Sequence, residues 1–100
     1  LISNQIIVLS GAGGVGKTAI IKKLYKEVVN DKPFYLFKAN EFNLIDINKL
    51  FGEYSLENFI DIHKNYNEKI VIIDSAEKLL DIDNIDVFGE FLSSLIQNNW

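Results

Sequence analysis

Three short runs of this chain are apolar without interruption: Ile6-Ile7-Val8-Leu9, Phe34-Tyr35-Leu36-Phe37 and Ile70-Val71-Ile72-Ile73. Runs of this length without alternation suit strands covered on both faces, and their β-branched and aromatic make-up agrees. Between and after them the apolar spacing changes to that of helices. Over residues 17–29, Ile20, Ile21, Leu24 and Val28 share one face, against Lys22, Lys23, Lys26 and Glu27 on the other. Ser55 is placed to cap a helix over residues 56–65, with Leu56, Phe59 and Ile60 on one face and His63 at its margin. A last helix over residues 86–98 is expected to bury Val87, Phe88, Phe91, Leu92, Leu95 and Ile96. A short helix is predicted at 47–51, ended by Gly52. Asn30-Asp31-Lys32-Pro33 and Asn65-Tyr66-Asn67-Glu68 read as loops, and residues 78–85 as a loop or broken turn.

The order strand, loop, helix, strand, helix, strand, helix argues for an α/β fold: a parallel sheet covered by helices. Right-handed crossovers then place every strand's carboxyl end on one rim, where ligands of open α/β sheets bind. The segments after the first and third strands therefore meet there.

The first strand leads into Gly11-Ala12-Gly13-Gly14-Val15-Gly16-Lys17-Thr18. The pattern G-x-x-x-x-G-K-[ST] between a strand and a helix is a phosphate-binding loop: the glycines let successive N–H groups turn toward phosphate oxygens. Lys17 adds a positive charge for the terminal phosphates. Thr18 offers a hydroxyl to the magnesium ion that accompanies a nucleoside triphosphate, and the helix it opens turns its positive dipole end to the same anion.

The third strand ends in Asp74, with Ser75-Ala76-Glu77 directly after it. An apolar strand that projects a carboxylate beside a phosphate loop forms the second, Walker B, motif, and assigns Asp74 to magnesium. Glu77 is the candidate general base for the attacking water, provided the chain has already turned into a helix by then. Otherwise it is an ordinary exposed glutamate that opens a helix. His63 is read as structural or exposed. Asp81, Asp83 and Asp86 alternate like a calcium loop but lack its glycine and distal glutamate, so they read as a solvated turn.

Composition narrows the setting. A chain of 100 residues, 48% hydrophobic and 24% charged, supports one modest core. No apolar run approaches the ~20 residues of a membrane span, and no basic-then-apolar leader opens the chain, so neither membrane nor export is expected. With no cysteine there are no disulfides or thiolate metal sites, which fits a cytoplasmic protein. A net charge of −4 with scattered lysines does not indicate nucleic acid as a partner. There is no arginine, so an arginine finger would have to come from elsewhere in a longer chain or from a partner. The chain starts at Leu1 and stops at Trp100 as a helix finishes, and is expected to be a piece of a larger protein.

Residues 6–18, the strand at 34–39 and Ile70-Val71-Ile72-Ile73-Asp74-Ser75-Ala76-Glu77-Lys78-Leu79 together resemble the amino-terminal half of a P-loop NTPase domain. The resemblance is to the additional-strand, catalytic-glutamate division, and within it to the STAND ATPases and their AAA-like relatives. It implies a three-layer α/β/α domain with a parallel sheet, of which residues 1–100 form a truncated amino-terminal part with three strands. It also implies ATP and magnesium as cofactors, and a strand, later in sequence and missing here, that separates the first and third strands in the parent fold. ATP is preferred over GTP, because Asn48-Lys49-Leu50-Phe51 lacks the Asp of a guanine-reading N-K-x-D stretch. Three roles stay open at this point: an ATP-hydrolysing switch or motor in a larger signalling or defence-type protein, a nucleotide-binding regulatory module without hydrolysis, and a DNA-transaction ATPase. Nucleotide and the rest of the parent chain are the expected partners, with a homo-oligomer left open.

Overall fold

The computed structural model describes residues 4–10, 16–28 and 32–100. Three strands, β1 (Asn4–Val8), β2 (Phe34–Lys38) and β3 (Lys69–Asp74), form one wholly parallel sheet in the order β1-β3-β2. The helices are α1 (Lys17–Val28), α2 (Leu56–His63) and α3 (Asp86–Gln97), with 3-10 turns at Ala39–Phe42, Ile47–Phe51 and Ala76–Asp81. This is the α/β architecture expected from the alternation of runs, in truncated form.

Strand alternation divides the core in two. Ile70 and Ile72 face α1, packing with Val28, Ile21 and Leu24, while Val71 and Ile73 face the opposite layer. That layer is the larger, holding Phe42, Phe59, Phe88, Phe91, Leu95 and Trp100 against the sheet. β3 is central, and Ile70 through Ile73 are fully buried, as an uninterrupted apolar run requires. β1 does not share that environment: it is an edge strand here, and Val8 is 50% exposed.

Within these residues β1 and β3 are direct neighbours, in register from Asn4↔Lys69 to Val8↔Ile73; the later strand that the resemblance places between them in the parent fold is not among these residues. Both present apolar runs of matching direction, and pairing satisfies backbone groups that would otherwise be buried or exposed as open edges.

Two helix faces are narrower than the sequence pattern implies. Ile20 is 51% exposed and Ile96 66% exposed. The stripe of α1 that reaches the sheet runs Ile21, Leu24, Val28, and a three-stranded sheet is too narrow to cover the neighbouring position. On α3, Val87, Phe88, Phe91 and Leu95 fill the inward stripe, leaving Ile96 beyond its margin.

Local chemistry sets the boundaries. Ser55 Oγ accepts the Asn58 N–H and Asn58 Oδ1 accepts the Ser55 N–H, both at 3.0 Å, a reciprocal cap that starts α2. Asn48 Oδ1 also accepts the Leu56 N–H at 2.8 Å, joining the turn at Ile47–Phe51 to that helix. Gly52 ends the turn with a φ of 66°. Ser55→Ala is expected to cost about 1 kcal/mol, read from urea unfolding.

His63 is structural and buried. Its Nδ1 lies 2.7 Å from the Phe59 carbonyl, which can only accept, so that nitrogen carries the proton and Nε2 accepts from the Tyr35 hydroxyl at 2.7 Å. The pair ties α2 to β2. Tyr35→Phe leaves His63 Nε2 without its donor and is expected to cost about 1–3 kcal/mol. Burial pushes the Tyr35 hydroxyl pKa up from its ordinary value, and Tyr66 adds to the shift. The unfolded tyrosine thus ionises first, near its ordinary value of about 10. Unfolding releases a proton above that pH, and stability falls as pH rises. Comparing urea midpoints at pH 8 and 10.5, the alkaline loss should be smaller in Tyr35→Phe than in the parent.

Candidate functional site

The carboxyl ends of β1 and β3 are held together by two backbone bonds beyond the sheet ladder. The Leu9 N–H donates to the Ile73 carbonyl and the Ala76 N–H to the Leu9 carbonyl, each at 2.8 Å. Leu9 directly precedes the Ser10-Gly11 entry to the glycine loop, and Ala76 directly precedes Glu77. Leu9, two residues before the first motif, is therefore hydrogen-bonded to the end of β3 and the start of the segment that carries Glu77, as parallel topology anticipates.

Gly11, Ala12, Gly13, Gly14 and Val15, with the side chains of Lys17 and Thr18, lie outside the described part of the structure. Gly16 has a φ of +87°, a backbone region open to glycine and strained for other residues. Its carbonyl accepts the Ile20 N–H at 3.0 Å, so α1 begins immediately, with Lys17 and Thr18 as its first two residues. The first-turn amides of such a helix have no partner within the helix and carry its positive dipole end.

Asp74 closes β3 and is half-buried. Alternation from Ile72 places it on the α1 face of the sheet, the face whose helix starts at the glycine loop. One carboxylate oxygen, Oδ1, accepts the Ser75 N–H at 2.7 Å. Ser75 itself is left-handed, with φ 60° and ψ 44°. That residue turns the chain at once from strand into the 3-10 helix Ala76–Asp81, where Glu77 sits half-buried in the first turn. The condition on Glu77, a chain turned into a helix, is met from Ala76 onward. The helix extends through 78–81, where the sequence pattern reads as a loop or broken turn. Serine has no marked preference for left-handed geometry, so the pattern carries no signal for the reversal that starts it.

A β-branched side chain tolerates that geometry poorly. Ser75→Val is expected to destabilise the protein by about 1–2 kcal/mol, whereas Ser75→Gly should leave thermal unfolding nearly unchanged.

Lys38 belongs to the site's surroundings, although in sequence it marks no more than the end of a strand. Register pairs it with Asp74, so this exposed cation stands on the same rim. Cross-strand register is set by tertiary pairing, which the residues around Lys38 do not encode locally. Among the described residues no group of three or more His, Cys, Asp or Glu is arranged to hold a metal ion. No helix among the described residues is long and apolar enough to cross a membrane.

A strand, a glycine loop opening a helix, and a strand ending in aspartate at the same rim define a P-loop-type nucleotide-binding domain. A family model for the AAA domain matches residues 3–99, and the chain belongs to that family. It is thereby an ATP-binding domain of the AAA ATPase type. None of the curated proteins compared with the chain matches it.

Proposed function

We propose that this domain binds ATP with magnesium and hydrolyses it, as a conformational switch or motor module within a larger intracellular protein of the signalling or defence type, related to the STAND group. The observation that supports this best is the pair of bonds through Leu9, which couple the entry of the glycine loop to the Asp74-to-Glu77 segment. Through these bonds a change at the phosphates would have a short path to the end of β3 and the helix beyond it.

The donor set fits the cofactor. Asp74 and Thr18 offer one carboxylate and one hydroxyl oxygen, the hard ligands that suit magnesium when phosphate oxygens and water complete the shell. Magnesium bound with the nucleotide would neutralise charge on the phosphates. Gly11 to Gly16 and the first-turn amides of α1 would cradle the phosphates, with Lys17 on the terminal ones. Asp74 would hold the metal side of the site, and Glu77 would orient water and take its proton.

In the full-length protein, Lys17→Ala should weaken ATP affinity about 10–100-fold, the loss of one charge-assisted contact. Asp74→Asn should bind ATP with much reduced dependence on magnesium. Calorimetric titration with and without magnesium checks both; unchanged ATP affinity in Lys17→Ala would sink the reading.

A second reading, a regulatory module that holds nucleotide without useful turnover, is favoured by one observation. Glu77 does not follow Asp74 immediately but comes after the left-handed Ser75. Turnover in the parent protein separates the two.

A further inference from the structure

β2 is the outer strand of the sheet on the side away from β1, and its chemistry is unusual for an open edge. The Pro33 carbonyl accepts the Ile70 N–H at 2.9 Å, so the backbone groups of Pro33, Tyr35 and Phe37 point toward β3. Those of Phe34, Leu36 and Lys38 then point outward. The Lys38 N–H confirms the phase, because it is taken on that open side by Glu41 Oε2 at 2.6 Å. Among the described residues nothing bonds the outward N–H and C=O groups of Phe34 and Leu36.

Both faces beside this edge are apolar grooves. On the α1 side, Ile21, Tyr25, Phe34 and Leu36 line about 650 Å³, with Lys22 and Lys26 at the rim. On the α2 side, Tyr35, Phe37, Phe51, Tyr54 and Ile62 line about 260 Å³. Large apolar side chains stand open on each: Leu36 is 43% and Ile62 60% exposed. Natural edges are usually blunted with charge, proline or a covering element; here Pro33 precedes the edge and the Lys38–Glu41 contact ends it, and the stretch between them at Phe34 and Leu36 is left open among the described residues.

We infer that the β2 edge is a docking site for an extended segment of another protein, which adds as a fourth strand with alternating apolar side chains and carries acidic residues alongside the α1 face. Each feature selects for a part of that ligand. Unpaired groups on Phe34 and Leu36 require an extended backbone. Grooves on both faces accept side chains of period two, odd positions into one and even into the other. Lys22 and Lys26 set the charge. The same lysines disfavour two-fold pairing of β2 with a second copy, which would bring four like charges to one seam. Phe34 and Leu36 stand short of the nucleotide rim, which β2 reaches only at Lys38, and docking there does not depend on hydrolysis.

The test uses full-length protein and a fluorescein-labelled probe peptide, Glu-Glu-Val-Phe-Ile-Leu-Glu-amide, followed by fluorescence anisotropy. Saturable binding is expected, weakened at least tenfold by N-methylation of alternate probe residues in the register that faces β2. Leu36→Pro removes the outward N–H while leaving the β3 side intact, and should weaken binding at least tenfold. Should that variant fail to fold, the surface double variant Lys22→Glu/Lys26→Glu serves. It should weaken the acidic probe several-fold and favour a lysine-flanked version of it. No binding at 1 mM, or equal binding of the N-methylated probe, overturns the inference. So does light scattering that shows the protein dimerising through this edge, with Leu36→Pro monomeric and the probe excluded.

Discussion

Glu77→Gln in the full-length protein is expected to keep ATP bound and to lose hydrolysis by a factor on the order of 10²–10⁴, the loss of a well-placed general base. Glutamine preserves the size and hydrogen-bonding reach of the side chain while removing its capacity to accept a proton. The turn at Ala76–Asp81 is closed by backbone, the Lys78 N–H donating to the Ser75 carbonyl at 2.9 Å. Thermal unfolding of the variant checks that the fold is kept, and the deficit should appear in kcat with ATP affinity intact. Lys17→Ala, by contrast, should lose affinity first, so the two variants divide binding from turnover. Full activity in Glu77→Gln would remove that residue from the mechanism. Tight ATP retention with no turnover even in the unaltered protein would favour the regulatory reading.

Much of this arrangement is legible in the sequence. The three apolar runs, the caps at Ser55 and Gly52 and the glycine loop are local signals, and the strands and helices they predict are present. The convergence of β1 and β3 on one rim follows from parallel topology alone. The features that are not legible depend on contacts distant in sequence. The apolar spacing of α1 and α3 marks Ile20 and Ile96 as inward, but the width of the sheet and the packing of the aromatic layer decide how much of each face is covered. The β1–β3 pairing is a choice between strands that the runs themselves do not rank. The helix after Ser75 hides in a segment whose acidic residues, Asp81 and Asp83, read as a turn. Its partly buried Leu79 packs on the aromatic layer, which supplies the stabilisation that local propensity lacks.

That aromatic layer makes Phe91 the most consequential single position for stability. Its side chain is fully buried, and its ring lies 5.1 Å from Phe42, 5.3 Å from Phe37, 6.2 Å from Phe51 and 6.4 Å from Phe59. It thus joins β2, the turns at 39–42 and 47–51, and α2 around α3. Phe91→Ala removes the shared partner and leaves a cavity that four separate elements cannot close together, at an expected cost of about 3–5 kcal/mol. For a domain of this size that is a fall in Tm of roughly 12–40 °C. It is also a large part of the roughly 5–15 kcal/mol that typically holds a domain folded. Ile96→Ala on the same helix is the control: its side chain is mostly in solvent, and the change should stay within about 0.5 kcal/mol. Thermal unfolding of the two variants measures which face of α3 is inward. If Ile96→Ala cost as much as Phe91→Ala, the aromatic layer would not be the core, and the support it gives to Leu79 and the Glu77 helix would have to come from elsewhere.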